Sequence, residues 1–233
     1  MNLKKNLFRY FTRFELSLLS SSIVLIVASF LIFDRNNFVN LFASLLGVVS
    51  LIFCAKGNPI GEGLIIIFSI FYGVISYSVG YYGEMITYLG MTTPMAIYAL
   101  VSWLKNPFDG KRSEVKVNTL GRREYFLLAL LTAAVTVAFY FILSILGTSN
   151  LFVSTLSVTT SFAAVYLIAR RCHYFTLAYA LNDLVLIVLW VSVAFYDPSA
   201  ISMVACFSAF LAHDIYGYTN WRRMKKMQEN KEK

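Results

Sequence analysis

Long apolar runs separated by short polar segments make up most of this chain. We predict eight membrane-spanning helices, at residues 15–33, 38–55, 61–80, 84–103, 124–146, 151–168, 174–196 and 199–219. Each run is long enough, or nearly so, to cross a hydrocarbon core about 30 Å thick at about 1.5 Å per residue. The pattern therefore predicts an all-α membrane protein with about eight transmembrane helices.

The first run could instead be the apolar part of a cleaved signal peptide, because it follows the basic stretch MNLKKNLFRYFTR. Its length argues against this, since the apolar region of a signal peptide has about 7–15 residues. A small-residue cleavage motif of the A-x-A type does not follow the run. We therefore expect the first run to be a transmembrane helix.

The positions of the basic residues predict the topology. Of the 20 Lys and Arg residues, all except Arg35 lie in alternate connections between the runs, or at the two ends of the chain. Basic residues concentrate on the cytoplasmic side of membrane proteins. We therefore expect both termini in the cytoplasm of a multi-pass cell-membrane protein. The net charge of +8 then reflects topology and not nucleic-acid binding, which needs basic residues on one folded surface.

Composition excludes most other classes. The chain is 58% hydrophobic and 14% charged, whereas soluble domains carry about 25% charged residues. The three cysteines lack metal-ligand spacing, and we find no hydrolase, zinc-protease, phosphate-binding or dinucleotide-binding motif. We therefore predict that the chain is not an enzyme and has neither a cofactor nor a metal site.

Two sequence similarities suggest an internal duplication. The segment IYALVSW ends the fourth run and IYGYTNW ends the eighth, while FCAK and LIAR end the second and sixth. Matching motifs four runs apart predict parallel three-helix repeats. The predicted parts are a basic N-terminus with an extra helix (1–37), the first repeat (38–105), a cytoplasmic loop with a linker helix (106–147), the second repeat (148–221) and a basic tail (222–233).

Asp183 is the clearest candidate for function, because it lies near the middle of the seventh run. Asn182 precedes it, and helical spacing places Tyr179 and Trp190 on its face. An ionisable group at membrane depth costs several kcal/mol unless it faces a cavity or a partner. The pair therefore indicates either a ligand site, which we favour, or a hydrogen bond that joins helices.

Other polar residues have competing interpretations. Asp214 either pairs with a neighbour or reaches a cavity, and His213 is expected to be structural. Glu62 and Glu84 begin their runs, where a carboxylate stabilises a helix N-terminus. Pro94 should break the fourth helix, so Thr92 and Thr93 either line a binding site or bond back to the backbone.

Aromatic residues form 16% of the chain, and their depth separates them into two groups. Trp103 and Trp221 end their runs beside basic residues, which is typical of the aromatic belt at the membrane surface. Tyr98 and Tyr216 lie deeper, where such side chains can stack on a planar or cationic ring.

Four segments carry a family resemblance, and they are GVVSLIFCAKGN, YYGEMITYLGMTTPMAIYALVSW, LAYALNDLVLIVLW and YGYTNWRR. Over roughly residues 38–225 the chain resembles the PnuC-type nicotinamide riboside transporters. The resemblance implies a SWEET-like fold, a homotrimer and facilitated diffusion of a vitamin B3 precursor. Phosphorylation of the substrate by a cytosolic kinase would make the uptake unidirectional.

The resemblance also has departures. The family's Trp-x-x-Trp pair corresponds here to Thr176 and Tyr179, and its amide position corresponds to Asp183. A glutamine of the fourth helix has no counterpart between Tyr88 and Trp103. Relatives with the same fold carry thiamine, riboflavin or nucleosides, so these substrates are alternatives.

We therefore predict a transporter for nicotinamide riboside or a similar ribosylated aromatic. Polar contacts to the sugar or carboxamide are assigned to Asp183 and Asn182, and ring stacking to Tyr179, Trp190 and Tyr98. The rest of the path is assigned to Thr92, Thr93, Tyr216, Asn220 and Asp214. A membrane scaffold or receptor subunit would show no saturable uptake. Proton coupling through Asp183 would make uptake depend on a pH gradient.

Overall fold

A computed structural model describes residues 10–78, 82–148 and 150–232 of the chain. Residues 79–80, which we predicted as the end of the third span, lie outside the described residues, as does the basic segment 1–9. Among the described residues, eight helices are long and apolar enough to cross a membrane, so the predicted eight-span all-α fold is confirmed.

The helices follow the predicted spans closely, and the last one is longer than predicted. They are α1 (Arg13–Phe33), α2 (Phe38–Ala55), α3 (Ile60–Ser78), α4 (Tyr82–Ile86), α5 (Thr93–Lys105), α6 (Arg122–Ile145), α7 (Leu151–Ala169), α8 (Phe175–Ala194) and α9 (Ile201–Lys231). A short 3₁₀ helix, Pro198–Ala200, precedes α9. Large apolar side chains such as Phe126, Ile145 and Phe152 are exposed on the outside, as expected for a surface that faces lipid.

The fourth span is irregular where Pro94 predicts a break. A π-helical turn, Thr87–Thr92, joins α4 to α5 immediately before the proline. The hydroxyl of Thr93 donates to the Tyr88 carbonyl oxygen at 2.8 Å, so it satisfies a backbone group inside the distorted turn. π-helical turns concentrate at functional sites, and this one faces the interior of the bundle.

The helices form two bundles of three spans. In the first bundle α2 packs against α3, and α3 packs against α5; in the second, α7 packs against α8 and α8 against α9. The bundles meet where α2 contacts α9 and where α5 contacts α7, so the first helix of each contacts the last helix of the other. The parallel repeats themselves stay a prediction. The linker helix α6 packs mainly against α7.

The connection between the bundles folds back over the ends of the helices. Strands β1 (Pro107–Phe108) and β2 (Lys111–Val115) form an antiparallel hairpin. The Val115 N–H donates to the Gly57 carbonyl oxygen, and the Asn118 N–H donates to the Arg171 carbonyl oxygen, both at 2.9 Å. Gly57 and Arg171 follow α2 and α7 with φ values of 65° and 57°. The loop thus contacts equivalent turns in both bundles.

Trp103 and Trp221 are fully buried, so their predicted place in the aromatic belt is wrong. The indole N–H of Trp103 in α5 donates to the Ile168 carbonyl oxygen of α7 at 3.0 Å. The indole N–H of Trp221 in α9 donates to the Cys54 carbonyl oxygen of α2 at 2.9 Å. Their ring centroids are 5.4 Å apart. Each tryptophan therefore ties the last helix of one bundle to the first helix of the other.

The extra N-terminal helix α1 packs against α2 and α9. Glu15, which is 1% exposed, forms a capping box with Thr12 at the start of α1. The same carboxylate accepts from Lys56 Nζ at 2.9 Å and from the Tyr216 hydroxyl at 2.7 Å. These bonds attach α1 to both bundles.

Candidate functional site

A cavity of about 60 Å³ lies where the two bundles meet. Side chains from α2, α3, the π-helical turn, α7, α8 and α9 line it. The predicted residues that reach this cavity are Thr92, Tyr179, Asn182, Asp183 and Asp214. Both bundles therefore contribute to a polar chamber inside the membrane-spanning region.

Three carboxyl groups line the cavity. Glu62 in α3, Asp183 in α8 and Asp214 in α9 are 1%, 4% and 5% exposed. The Cys54 thiol lies 3.5 Å from Glu62 Oε1 and can donate to it. Asp183 and Asp214 face the cavity from the neighbouring helices α8 and α9. Asp183 Oδ2 is buried without a hydrogen-bond partner, so it is an unused acceptor at the cavity.

Asn182 is held in place by hydroxyl groups of α7. Its side-chain oxygen Oδ1 accepts from the hydroxyls of Thr160 at 2.8 Å, Ser161 at 3.0 Å and Ser157 at 3.4 Å. Because these bonds occupy the oxygen, Nδ2 is the donor that Asn182 offers to the cavity. A donor from Asn182 and an acceptor from Asp183 therefore lie side by side on α8.

Aromatic side chains form much of the remaining wall. The rings come from both bundles and are Phe68, Tyr88, Phe175, Tyr179, Phe207 and Phe210. The Phe68 centroid lies 5.7 Å from that of Phe210 and 6.0 Å from that of Tyr88. Rings around carboxyl groups provide stacking surfaces and, for a positively charged ring, cation–π attraction as well.

A second, larger cavity of about 620 Å³ lies between the π-helical turn, the connection from α6 to α7 and the end of α8. Trp190 lines this cavity and not the smaller one, whereas Tyr88 lines both. Glu84 also lines the larger cavity, and its Oε2 accepts from the Tyr72 hydroxyl at 2.9 Å. Tyr88 therefore stands between the two cavities, with its ring 4.4 Å from that of Tyr72.

Four residues predicted for the binding site or the path lie elsewhere. Tyr98 is 54% exposed on the outer surface of α5, so the structure does not place it for stacking. Thr93 lies 2.8 Å from the Ser69 hydroxyl and joins two helices. Tyr216 binds Glu15, and Asn220 Nδ2 donates to the Ala55 carbonyl oxygen at 2.8 Å. These contacts hold helices together outside the cavity.

Sequence reasoning missed Glu62, which it interpreted as a helix-capping carboxylate. The start of α3 is packed against α2, because Gly61 has no side chain. A Cβ at Gly61 would lie 2.6 Å from the Cys54 backbone nitrogen. Gly61, directly before Glu62, is the sequence signal that could have indicated close packing there. Glu84 likewise does more than stabilise a helix N-terminus, since it accepts a hydrogen bond from Tyr72 and faces the larger cavity.

A cavity with polar and aromatic side chains between two helical bundles is an arrangement found in membrane transporters. A profile of the family described as Nicotinamide mononucleotide transporter matches residues 37–223. The chain therefore belongs to this transporter family, as the resemblance predicted, and the family is not one of enzymes.

Two comparisons agree with the family. The chain is 24% identical over 228 residues to the nicotinamide riboside transporter PnuC of Neisseria mucosa, covering 96% of this chain and 86% of that protein. The crystal structure of the vitamin B3 transporter PnuC superposes with a TM-score of 0.83 at 22% identity, covering 98% of this chain and 100% of that one. The second comparison establishes a shared fold.

Proposed function

We propose that this protein carries nicotinamide riboside, or a similar ribosylated aromatic, across the cell membrane by facilitated diffusion. The chamber between the bundles supports this proposal most directly, because it combines carboxyl groups, an amide donor and aromatic rings. The Neisseria relative is named for nicotinamide riboside, and the family description names the corresponding mononucleotide. Both compounds contain a ribosylated pyridinium ring, for which the chamber is chemically suited.

The polar residues have distinct roles in this proposal. Asp183 accepts from the ribose hydroxyls or the carboxamide, and Asn182 donates to an oxygen of the same groups. Tyr179 and Tyr88 offer the nearest ring faces for the pyridinium. Trp190 acts earlier in the path, in the larger cavity, because it does not reach the chamber.

Transport requires the bundles to move. A chamber of about 60 Å³ accommodates a few water molecules and no nucleoside, since a single water needs about 10–15 Å³ of such cavity volume. The larger cavity is the access route, and Tyr88 is the barrier between the two. The irregular turn at Thr87–Thr92 is where the fourth span can bend, because its hydrogen bonding already departs from a regular helix.

The predicted topology and assembly complete the proposal. The basic residues favour cytoplasmic termini, so the buried Trp103–Trp221 pair closes the cytoplasmic end and the larger cavity opens to the outside. A cytosolic kinase phosphorylates the imported substrate, which keeps the concentration of free substrate lower inside the cell than outside. A homotrimer follows from the family resemblance, and the molar mass of the detergent-purified protein by light scattering tests it.

Uptake into proteoliposomes tests the transport mechanism. Radiolabelled nicotinamide riboside should enter saturably until the internal and external concentrations are equal, with neither ATP nor an imposed ion gradient. Enclosing a nicotinamide riboside kinase and ATP should then raise the total trapped label several-fold. Accumulation of free substrate above the external concentration would contradict facilitated diffusion. Absence of saturable uptake would favour the scaffold or receptor alternative.

Thiamine is the second candidate substrate, because it is also an aromatic cation and the chamber contains three carboxyl groups. Riboflavin and deoxynucleosides carry no positive charge, so they are weaker candidates. Competition for nicotinamide riboside uptake by each compound ranks them. Stronger inhibition by thiamine than by unlabelled nicotinamide riboside would retain the transporter assignment and change the substrate.

A further inference from the structure

The larger cavity has the size and the lining of a binding site. Its volume of about 620 Å³ lies in the range of about 300–1,000 Å³ that is usual for small-molecule sites. Trp190 and Tyr196 provide aromatic surface, while Glu84 and Asp197 provide carboxyl groups. Among the described residues that line this cavity, none is Lys, Arg or His. A ligand with a cationic ring and a sugar therefore meets complementary groups here, before it reaches the chamber.

The two cavities are separate, although the same helices line them. Tyr88 is the only residue in the described part of the chain that lines both. On α8, Trp190 lies about two turns after Asp183, which places it about 10 Å farther along the helix axis. A ligand that contacts Trp190 is therefore on the far side of the Tyr88 barrier from Asp183.

Glu84 is the carboxyl group of the larger cavity that is held in position. Its Oε2 accepts from the Tyr72 hydroxyl at 2.9 Å, and Tyr72 is fully buried, so packing fixes the donor. A carboxylate has about four acceptor sites, and this bond uses one of them. Glu84 can thus accept from a hydroxyl group of a ligand without giving up its bond to Tyr72. The ring of Tyr72 also lies 4.4 Å from that of Tyr88, so the residue that anchors Glu84 contacts the barrier.

We propose that the larger cavity is a second binding site for the substrate, which the substrate occupies before Tyr88 admits it to the chamber. Glu84 accepts from hydroxyl groups of the sugar, and Trp190 stacks on the cationic ring. The inference rests on the proposed function, from which it takes the substrate class. Transport then consists of two successive binding steps, and neither step requires a coupled ion.

The larger cavity should bind the substrate more weakly than the chamber does. Tyr196 at its edge is 92% exposed, so a nucleoside bound there keeps part of its surface in water. Because less apolar surface is buried, we expect a dissociation constant about thirtyfold higher than that of the chamber. At ligand concentrations that saturate only the chamber, the larger cavity therefore stays nearly empty and adds little to the thermal stability.

Tryptophan fluorescence of the purified full-length protein tests the proposal. The chain has three tryptophans, and Trp103 and Trp221 are fully buried and line neither cavity. A pyridinium ring in contact with an excited indole accepts an electron and quenches its emission. Nicotinamide riboside should quench up to about a third of the emission, at concentrations about thirtyfold above those that raise the unfolding midpoint. Trp190→Phe removes the signal and corrects for light absorbed by the ligand.

Two variants separate the sites. Asp183→Leu removes an acceptor of the chamber and should retain the quenching at the concentrations that the wild type requires. Glu84→Gln is nearly isosteric and should need at least about tenfold more nicotinamide riboside for half of the quenching. It should also raise the KM for uptake with little change in kcat, because the chamber is intact. Glu229→Gln at the exposed end of α9 is the matched control and should change neither quantity.

The outcomes distinguish this inference from the proposed function. Loss of the quenching in Asp183→Leu would overturn the inference, because one site in the chamber would then account for all binding. Unchanged quenching and KM in Glu84→Gln would also overturn it. Both results leave uptake by the wild type, and with it the proposed function, intact. If one of the two variants does not fold, the other is sufficient. A wild-type protein that neither binds nor takes up nicotinamide riboside would overturn the proposed function as well.

Discussion

The two buried tryptophans allow a quantitative prediction about how the bundles are held together. Trp221→Phe removes an indole hydrogen bond to the Cys54 carbonyl oxygen, which keeps its second donor, the Gly57 N–H at 2.9 Å. Losing the bond costs about 0.5–1.5 kcal/mol. The smaller ring leaves a cavity beside Phe175, whose centroid is 4.9 Å away, and this adds about 1 kcal/mol or more.

Trp103→Phe should cost a similar amount, about 2 kcal/mol, because its contacts repeat those of Trp221. The Ile168 carbonyl oxygen likewise keeps a second donor, the Arg171 N–H at 2.9 Å. Because the two indole rings touch, the double variant should depart from additivity by about 0.5–1.5 kcal/mol.

Equilibrium unfolding in mixed detergent micelles measures these free energies. Phe126→Leu on the exposed face of α6 is the control, and it should change stability by no more than about 0.5 kcal/mol. The reasoning would be refuted if both tryptophan variants behaved like this control. That result is expected if the two tryptophans lie in the aromatic belt at the membrane surface and do not connect the bundles.

Three further predictions concern packing and the path. Gly61→Ala should destabilise the protein by about 1–3 kcal/mol, because its Cβ would meet backbone of the preceding helix, whereas Gly63→Ala has open space and should be neutral or stabilising in the same unfolding assay. Glu15→Ala should cost about 2 kcal/mol, because it removes charge-assisted hydrogen bonds from a half-buried lysine and from a tyrosine hydroxyl, and it should increase proteolytic cleavage of α1; unchanged cleavage would contradict the attachment. Tyr179→Ala should lower the initial rate of nicotinamide riboside uptake at least about tenfold, whereas Tyr98→Ala, on the lipid-facing surface, should leave it near the wild-type rate. Equal uptake rates for these two variants would contradict the assignment of the cavity as the substrate site.

The sequence was sufficient to predict the spans, because the length and composition of an apolar run are local properties. Asp183 and Asn182 could also be located, since a charge in the middle of a span requires a cavity or a partner whatever the surrounding fold. The structure brings both to the chamber. What they bind remains a proposal.

Long-range packing accounts for the errors. The basic residues that follow Trp103 and Trp221 predict a position at the membrane surface for both. The connection between the bundles folds back and places Val115 and Leu120 in the same buried cluster as both indoles. A contact between distant segments of this kind leaves no periodic signal in the neighbouring sequence.

The π-helical turn explains why the sequence predicts Tyr98, and not Tyr88, as an aromatic residue of the site. Depth along the fourth span can be counted from the sequence, but the direction of a side chain depends on the helical repeat. The turn at Thr87–Thr92 changes that repeat between the two tyrosines. Tyr88 faces both cavities and Tyr98 faces outwards, although both lie in the same predicted span.

The most direct test of the account is thermal unfolding of the purified protein with and without nicotinamide riboside. A ligand that binds the folded state raises the midpoint by mass action. The account predicts a concentration-dependent rise for wild type, none for Asp183→Leu in the chamber, and an unchanged rise for Tyr98→Phe on the outer surface. Equal rises for all three proteins would place the ligand outside the chamber and contradict the account. Absence of any rise in wild type, at ligand concentrations that stabilise a known transporter of nicotinamide riboside, would contradict the substrate assignment.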